Sequence, residues 1–249
     1  MEDTASHAAS AKPAAVRRLG VIGDVHGEHE RLESVLDWFA TQDLDAVACT
    51  GDVADGRGCI NVSCRLLREA GVLTVAGNHD RWLLEDRVRH VGGAHRRDEL
   101  DPENLAFLNA LPRTRDIDTV AGRLLLCHGI GSNDLGKVWP GTGRTEVRRS
   151  EQLDSLLAAG EHRFVVNGHL HFRVLIDFAD TLLMNAGTLK GERPGVSILD
   201  LGAGTISVFH LESGRAPQPG NRHPLVPGPG RRIWRDTTEF DGRWDPVLL

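Results

Sequence analysis

Apolar residues fall in short runs that alternate with polar turns. The first run, Leu19-Gly20-Val21-Ile22-Gly23, is strand-sized and stops at Asp24-Val25-His26-Gly27. Leu32, Val35, Leu36 and Phe39 follow at i, i+3, i+4, i+7, the spacing of an amphipathic helix, with Glu28 and Glu30 suited to its first turn. The pattern then repeats. Residues 46–50 read as a buried strand ending in Gly51-Asp52, a helical stretch around 64–69 closes at Gly71, and residues 72–75 form a third strand ending in Gly77-Asn78-His79-Asp80. Strand, polar turn and helix in succession imply βαβ units and a parallel sheet.

Asp101-Pro102-Glu103 starts a further helix with a cap residue, a first-turn proline and an acid. Leu105, Leu108 and Leu111 line one face of it before Pro112. Residues 124–127 make a strand ending at His128-Gly129, and a Gly-rich loop over 129–143 carries Trp139. Leu153, Leu156 and Leu157 mark a helix closed by Gly160, and residues 164–166 make a strand ending at Asn167-Gly168-His169-Leu170-His171. Short strands at 174–176, 181–184, 196–199 and 205–208 then succeed one another without a long helix, which suggests antiparallel pairing. A βα alternation followed by a strand-rich half predicts an α/β fold, a four-layer αββα sandwich with two sheets flanked by helices. The expected organisation is a flexible N-terminal lead-in over 1–17, one domain over 18–212 and a Pro-rich C-terminal extension over 213–249. Six of the eleven prolines lie between 217 and 249, so the extension is expected to run over the surface or to be partly disordered.

Composition narrows the function classes. Hydrophobic residues make up 40% and charged residues 26% of 249, ordinary for a globular chain. With 29 Lys+Arg against 35 Asp+Glu the net charge is −6, which argues against gripping nucleic acid by bulk charge. The N-terminus lacks the apolar segment of a secretory signal, and no apolar run approaches the ~20 residues that cross a bilayer. Cys49, Cys59, Cys64 and Cys127 match neither a zinc knuckle nor a disulfide framework, so the expectation is reduced thiols in a cytoplasmic protein.

The polar clusters fall where strands end, and in an open α/β sheet those carboxyl ends form the ligand crevice. Five strand ends deliver Asp24 and His26, Asp52 and Asp55, Asn78 and His79, His128, and His169 with His171. Carboxylate oxygen, imidazole nitrogen and amide oxygen are ligands for zinc, manganese or iron. The Asp-x-His and His-x-His spacings place paired side chains on one side of an extended segment. So many ligand groups exceed one tetrahedral site and suit two ions sharing a carboxylate. An isolated histidine is more often structural or on the surface, which is the expectation for His7, His29, His90, His95, His162, His210 and His223. Asp80 reads as a helix cap or supporting partner, Trp139 as packing or loop anchoring, and Cys127 as buried and turned away from His128.

The string Gly23-Asp24-Val25-His26-Gly27, Gly51-Asp52-Val53-Ala54-Asp55, Gly77-Asn78-His79-Asp80, His128-Gly129 and Gly168-His169-Leu170-His171 resembles the calcineurin-like metallophosphoesterase superfamily, with all five motifs in the family's order. The resemblance implies two divalent ions (Mn, Fe or Zn), with Asp24, His26 and His171 on the first, Asn78, His128 and His169 on the second, and Asp52 bridging. It implies that the ions supply a bridging hydroxide, and that His79, oriented by Asp55, acts on the scissile phosphate or leaving group. The implied activity is phosphoester hydrolysis of a small substrate. The protein Ser/Thr phosphatases and diadenosine tetraphosphatases share Gly-Asp-x-His-Gly. They carry an Arg directly after the second aspartate of Gly-Asp-x-x-Asp and another before Gly-Asn-His, where this chain has Gly56 and Ala76; Arg57 comes one place late. Gly168-His169-Leu170-His171 is similar instead to the compact prokaryotic phosphodiesterases. A small or nucleotide-like diester is the expected substrate, with a monoester or a non-catalytic metal-binding scaffold as alternatives; the presence of His79 and Asp55 argues against the scaffold. A segment from about 82 to 115 reads as an insertion that shapes the pocket, and Arg81, Arg96, Arg97 and Arg144 read as solvated charges or phosphate contacts.

Overall fold

The computed structural model describes residues 15–212 and 215–249. Most of the expected lead-in, residues 1–14, lies outside the described residues, as do 213 and 214. Residues 15–17 correct that reading where they are described. Val16 donates its N–H to Asp118 O (2.9 Å) and accepts from Val120 N (3.0 Å), and Arg17 N donates to the Asp45 carboxylate (2.7 Å).

The chain runs β1 (Arg18–Ile22), α1 (His29–Phe39), β2 (Ala46–Cys49), α2 (Ile60–Glu69), β3 (Leu73–Thr74), α3 (Asn78–Leu84), α4 (Pro102–Ala110), β4 (Thr114–Thr119), β5 (Gly122–Cys127), α5 (Glu151–Ala159), β6 (Phe164–Asn167), β7 (Arg173–Phe178), β8 (Leu182–Ala186), β9 (Gly195–Asp200), β10 (Thr205–His210), β11 (Gln218–Pro224), β12 (Ile233–Trp234) and β13 (Val247–Leu248). One sheet has the order β11-β10-β9-β1-β2-β3 and the other β12-β7-β8-β6-β5-β4, with β13 also on β7. β1, β2 and β3 are parallel, as are β5, β6 and β8. The later strands pair antiparallel as expected, but they divide between the sheets: β9 and β10 extend from β1, and β7 pairs with β8.

Period-2 alternation sorts the strand residues into layers. Leu124 and Leu126 of β5 join Leu19, Val21, Ala48, Phe164, Val166 and Met184 in the core between the sheets. Leu125 and Cys127 point the other way and pack with Leu153 of α5, and the outer face of the first sheet is covered by Leu32, Val35 and Phe39 of α1 with Ile60, Cys64 and Leu67 of α2. The result is the αββα sandwich, with one departure. The outer layer of the second sheet is a single helix, α5, completed by Trp234, Phe240 and Trp244 of the C-terminal extension.

The extension runs extended and largely exposed along β11, as expected, but it is paired into both sheets and anchored in the core. β11 continues the first sheet along β10. β12 pairs with Asp177 and Phe178, and β13 with Val174 and Leu175, so together they cover the outer edge of β7. Prolines fit here because an edge strand leaves half of its N–H groups outside the ladder, and large apolar anchors at 225, 234, 240, 244 and 249 are all buried. No helix of the described residues is long and apolar enough to cross a membrane.

Candidate metal centre

All seven residues expected as ligands meet where the strands end. Asp24 (0% exposed) follows β1, and its Oδ2 accepts His169 N–H at 2.8 Å and lies 3.3 Å from His171 Nε2. Asp52 (1% exposed) follows β2, and its Oδ2 lies 3.3 Å from His128 Nε2 and 3.8 Å from His26 Nε2. One ligand atom each from Asp24, His26, Asp52 and His171 lie within 4.8 Å of one another, and the same holds for Asp52, His128 and His169. Asp52 belongs to both groups. Asn78 adjoins the second, with a terminal amide atom 3.0 Å from His128 Nε2 and 2.9 Å from His169 Nδ1.

The pairs do not reach this point on extended backbone, as their spacing suggested. His26, His169 and His171 have φ of +49°, +68° and +60°, so turns aim their rings inward. The flanking glycines make room for the carboxylates: a Cβ at Gly168 would overlap Asp24 Oδ1, and one at Gly77 would overlap Asp52 Oδ1.

The donor set fits divalent cations. His26 Nδ1 donates to Asp55 O (2.9 Å) and His128 Nδ1 to Thr50 O (2.8 Å). A backbone carbonyl on one ring nitrogen fixes the tautomer and leaves the Nε2 lone pair for a metal, the usual support of a ligating histidine. His26 Nε2 and His171 Nε2 approach each other to 3.0 Å. The Asn78 side-chain amide lies between the His128 and His169 rings. A cation placed among these groups would be met by imidazole nitrogens, carboxylate oxygens and the Asn78 amide oxygen.

The buried groups are coupled by charge. Burial opposes ionisation of Asp52, yet His128 and His26 hold its carboxyl well below the usual range. Burial also opposes a charged His128, but Asp52 and Asp24 push it up to about 10. Burial and then the charge of His128 push His169 down to about 4. Asp80, fully buried at the start of α3, accepts Gly77 N–H and Ala54 N–H at 2.9 Å each and so supports the loops before Asn78 and Asp55, as expected of a cap; burial and Asp52 push it up to about 7.

His79 takes no place in either ligand group. Its Nδ1 lies 2.7 Å from Asp55 Oδ2, and its ring packs edge-on against His26 (4.9 Å) and Trp82 (4.8 Å). Burial works against its charge, but the hydrogen bond to Asp55 and the Asp52 charge raise its pKa. Two residues near Asp55 escape sequence reasoning. Arg89 donates from Nη1 to Asp55 Oδ1 (2.8 Å) and from Nη2 to Asp55 Oδ2 (3.0 Å), and His95, read as structural or on the surface, accepts Asp55 N–H at Nδ1 (2.9 Å). Both lie in the 82–115 segment, where no periodicity or motif marks them. Arg81 is tied to Asp134 in a two-pronged pair at 2.6 and 3.0 Å. Arg96 pairs with Asp98, and Arg97 donates to Leu84 O. Trp139 anchors its loop, donating to Thr145 Oγ1 (2.8 Å) and packing on Trp244 and Phe172.

The profile of the calcineurin-like phosphoesterase superfamily domain matches residues 18–212. The uncharacterized protein MJ0912 of Methanocaldococcus jannaschii is 22% identical over 199 residues, covering 72% of this chain and 79% of its own. Among solved structures, a metallophosphoesterase from Sphaerobacter thermophilus superposes with a TM-score of 0.59 at 20% identity, covering 80% of this chain and 89% of its own. A novel archaeal phosphodiesterase superposes at 0.52 and 16% identity, covering 78% and 99%. These likenesses are of fold, and the profile match over most of the chain adds descent: the protein belongs to the calcineurin-like phosphoesterase superfamily.

Proposed function

We propose that the chain is a metal-dependent phosphoester hydrolase with two divalent ions, acting on a small or nucleotide-like phosphodiester. The carrying observation is the shared Asp52 between two ligand groups, with the His79–Asp55 pair on the residue next to Asn78. Asp24, His26 and His171 would hold one ion, Asn78, His128 and His169 the other, and Asp52 both. When bound, such ions lower the pKa of water and neutralise charge on phosphoryl oxygens. The protein's own part is to position. Asp55 holds the proton on His79 Nδ1, which leaves Nε2 as the nitrogen available to a leaving oxygen. Burial of Asp24, Asp52 and His128 keeps the floor of the site dry, which strengthens every charge interaction there.

The diester preference is favoured by where the arginines go. A monoester dianion is best gripped by a free guanidinium fork. Position 76 is Ala, while Arg81 and Arg89 are already engaged by Asp134 and Asp55. The fold likeness to an archaeal phosphodiesterase agrees. The four free cysteines, three of them buried, suit a reducing compartment, which we take to be the cytoplasm.

The test is turnover of purified protein with manganese, zinc or iron against bis-p-nitrophenyl phosphate, p-nitrophenyl phosphate, dinucleotides and cyclic nucleotides. Diesters are expected to be the better substrates, and chelation to abolish turnover. A higher kcat/KM for the monoester would overturn the diester reading, and inactivity on the whole panel would overturn the hydrolase reading.

A further inference from the structure

Asp55 is the most heavily held carboxylate near the centre, and two of the residues that hold it, Arg89 and His95, come from outside the five motifs. Oδ1 accepts Arg89 Nη1 (2.8 Å) and His95 N–H (3.1 Å), and Oδ2 accepts Arg89 Nη2 (3.0 Å) and meets His79 Nδ1 (2.7 Å). Asp55 is 1% exposed and its φ is +66°, a left-handed backbone that a non-glycine residue keeps only when its surroundings impose it. The imposition is visible. His95 donates from Nε2 to Gly58 O (3.0 Å), so Nδ1 is free to accept Asp55 N–H (2.9 Å), while Arg89 Nη1 also donates to His95 O (2.9 Å) and Arg89 Nε to Arg87 O (2.7 Å). Asp55 O in turn accepts from His26 Nδ1.

From this geometry we infer that Arg89, with His95, is a positioning residue for the leaving-group histidine: the guanidinium fork locks the Asp55 carboxylate in one rotamer, and the locked Oδ2 fixes the tautomer and aim of His79. A lysine would supply the charge without the fork. A carboxylate held by one flexible contact would rotate and offer His79 either oxygen or none. Two parallel N–H bonds leave Oδ2 one position, and the Arg89 links to the 87 and 95 carbonyls tie that position to the 82–115 segment. That segment therefore acts on the chemistry through Asp55. The kinetic consequence rests on the hydrolase reading proposed above, whereas the state of the His79 proton does not.

The experiment compares Arg89→Met and Arg89→Lys with the unaltered, zinc-loaded protein. In the unaltered protein the His79 Nδ1–H should give a slowly exchanging downfield proton resonance, assigned by its disappearance in His79→Gln. Arg89→Met should lose or broaden it, and Arg89→Lys should retain it in part. On diesters, Arg89→Met should lower kcat about 10–100-fold for an alkyl leaving group, the scale seen when an orienting partner is removed. The loss should be several-fold smaller for nitrophenolate, with KM nearly unchanged and zinc content intact. Arg89→Lys should recover part of the alkyl rate. A merely structural arginine would lower thermal stability and depress both substrates alike. Equal fractional losses on the two leaving groups, or an unchanged resonance in Arg89→Met, would overturn the inference. If the unaltered protein hydrolyses neither diester, the hydrolase reading fails and the resonance alone decides the role of Arg89.

Discussion

His26, Asp52, Asp55, His169 and His171 all carry positive φ, from 45° to 68°. Each such residue costs on the order of 1–3 kcal/mol, so the motif loops are held against their own backbone preference by the strands below and the hydrogen bonds around them. The motifs themselves were legible because each follows an apolar strand, and the resemblance then suggested which ligands share an ion. Backbone handedness was not legible: Asp and His tolerate several conformations, and only the folded loop selects one. Arg89 and His95 were invisible for a related reason. They reach Asp55 across 34 and 40 residues of chain, and nothing local marks an arginine that will find a carboxylate by tertiary folding. The proposed function assigns the leaving group to His79. His79→Ala should leave both ions bound and cost about 10²–10⁴ in turnover, the range for a positioned acid or base, with a smaller loss for nitrophenolate than for alkyl leaving groups. Metal analysis beside the assay checks this: an ion lost with His79 would show that it belongs to the ligand shell.

At the scale of elements, the helices and buried strands follow from periodicity, because each buries one clear face. The misses have weak faces. β4, Thr-Arg-Asp-Ile-Asp-Thr, is an edge strand with only Ile117 and Thr119 buried, so it shows no apolar run. The extension hides its anchors among prolines and arginines, spaced by sheet edges and not by a helical or strand period. Those anchors predict its weight in stability. Trp234→Ala should cost about 3–5 kcal/mol, the usual penalty for emptying a buried aromatic site, read from denaturant midpoints. Trp234→Phe should cost less, since the buried indole N–H finds no hydrogen-bond partner among the described residues. A small loss in the alanine variant would mean that the extension is not part of the cooperative core. The start of β1 makes a pH-dependent case. The Asp45 carboxylate accepts Arg17 and Arg18 N–H at 2.7 and 2.8 Å, and these bonds hold its carboxyl below the usual value. Folding therefore favours the ionised form. Its contribution is full above an ordinary carboxylate pKa near ~4 and is lost as pH falls through the lower folded value. Asp45→Asn should be slightly less stable at neutral pH and converge with the unaltered protein near pH 2; a gap that persists there would assign the effect to packing.

For the whole molecule, the centre is a seam between the two sheets. Asp24, His26, Asp52 and Asn78 come from the first sheet, and His128, His169 and His171 from the second. Two strongly buried carboxylates and their imidazoles are brought together there, an arrangement that costs desolvation unless opposite charge offsets it. Ions that bind the folded chain and not the unfolded one add stability by mass action, about 2.7 kcal/mol at a free concentration of a hundred times Kd. For a chain of this size each kcal/mol is worth roughly 2–4 °C. Each ion should then raise the unfolding temperature by about 5–11 °C, and chelation should reverse the rise. Asp52→Asn should abolish most of the shift at once, because among the described residues Asp52 alone belongs to both ligand groups. Asn78→Ala should remove only part of it, since Asp24, His26 and His171 remain. Calorimetry with and without zinc or manganese on the three proteins tests the arrangement independently of any substrate. An unaltered protein whose unfolding temperature ignores metal, or an Asp52→Asn shift as large as that of the unaltered protein, would overturn the proposed place of Asp52 between two ions.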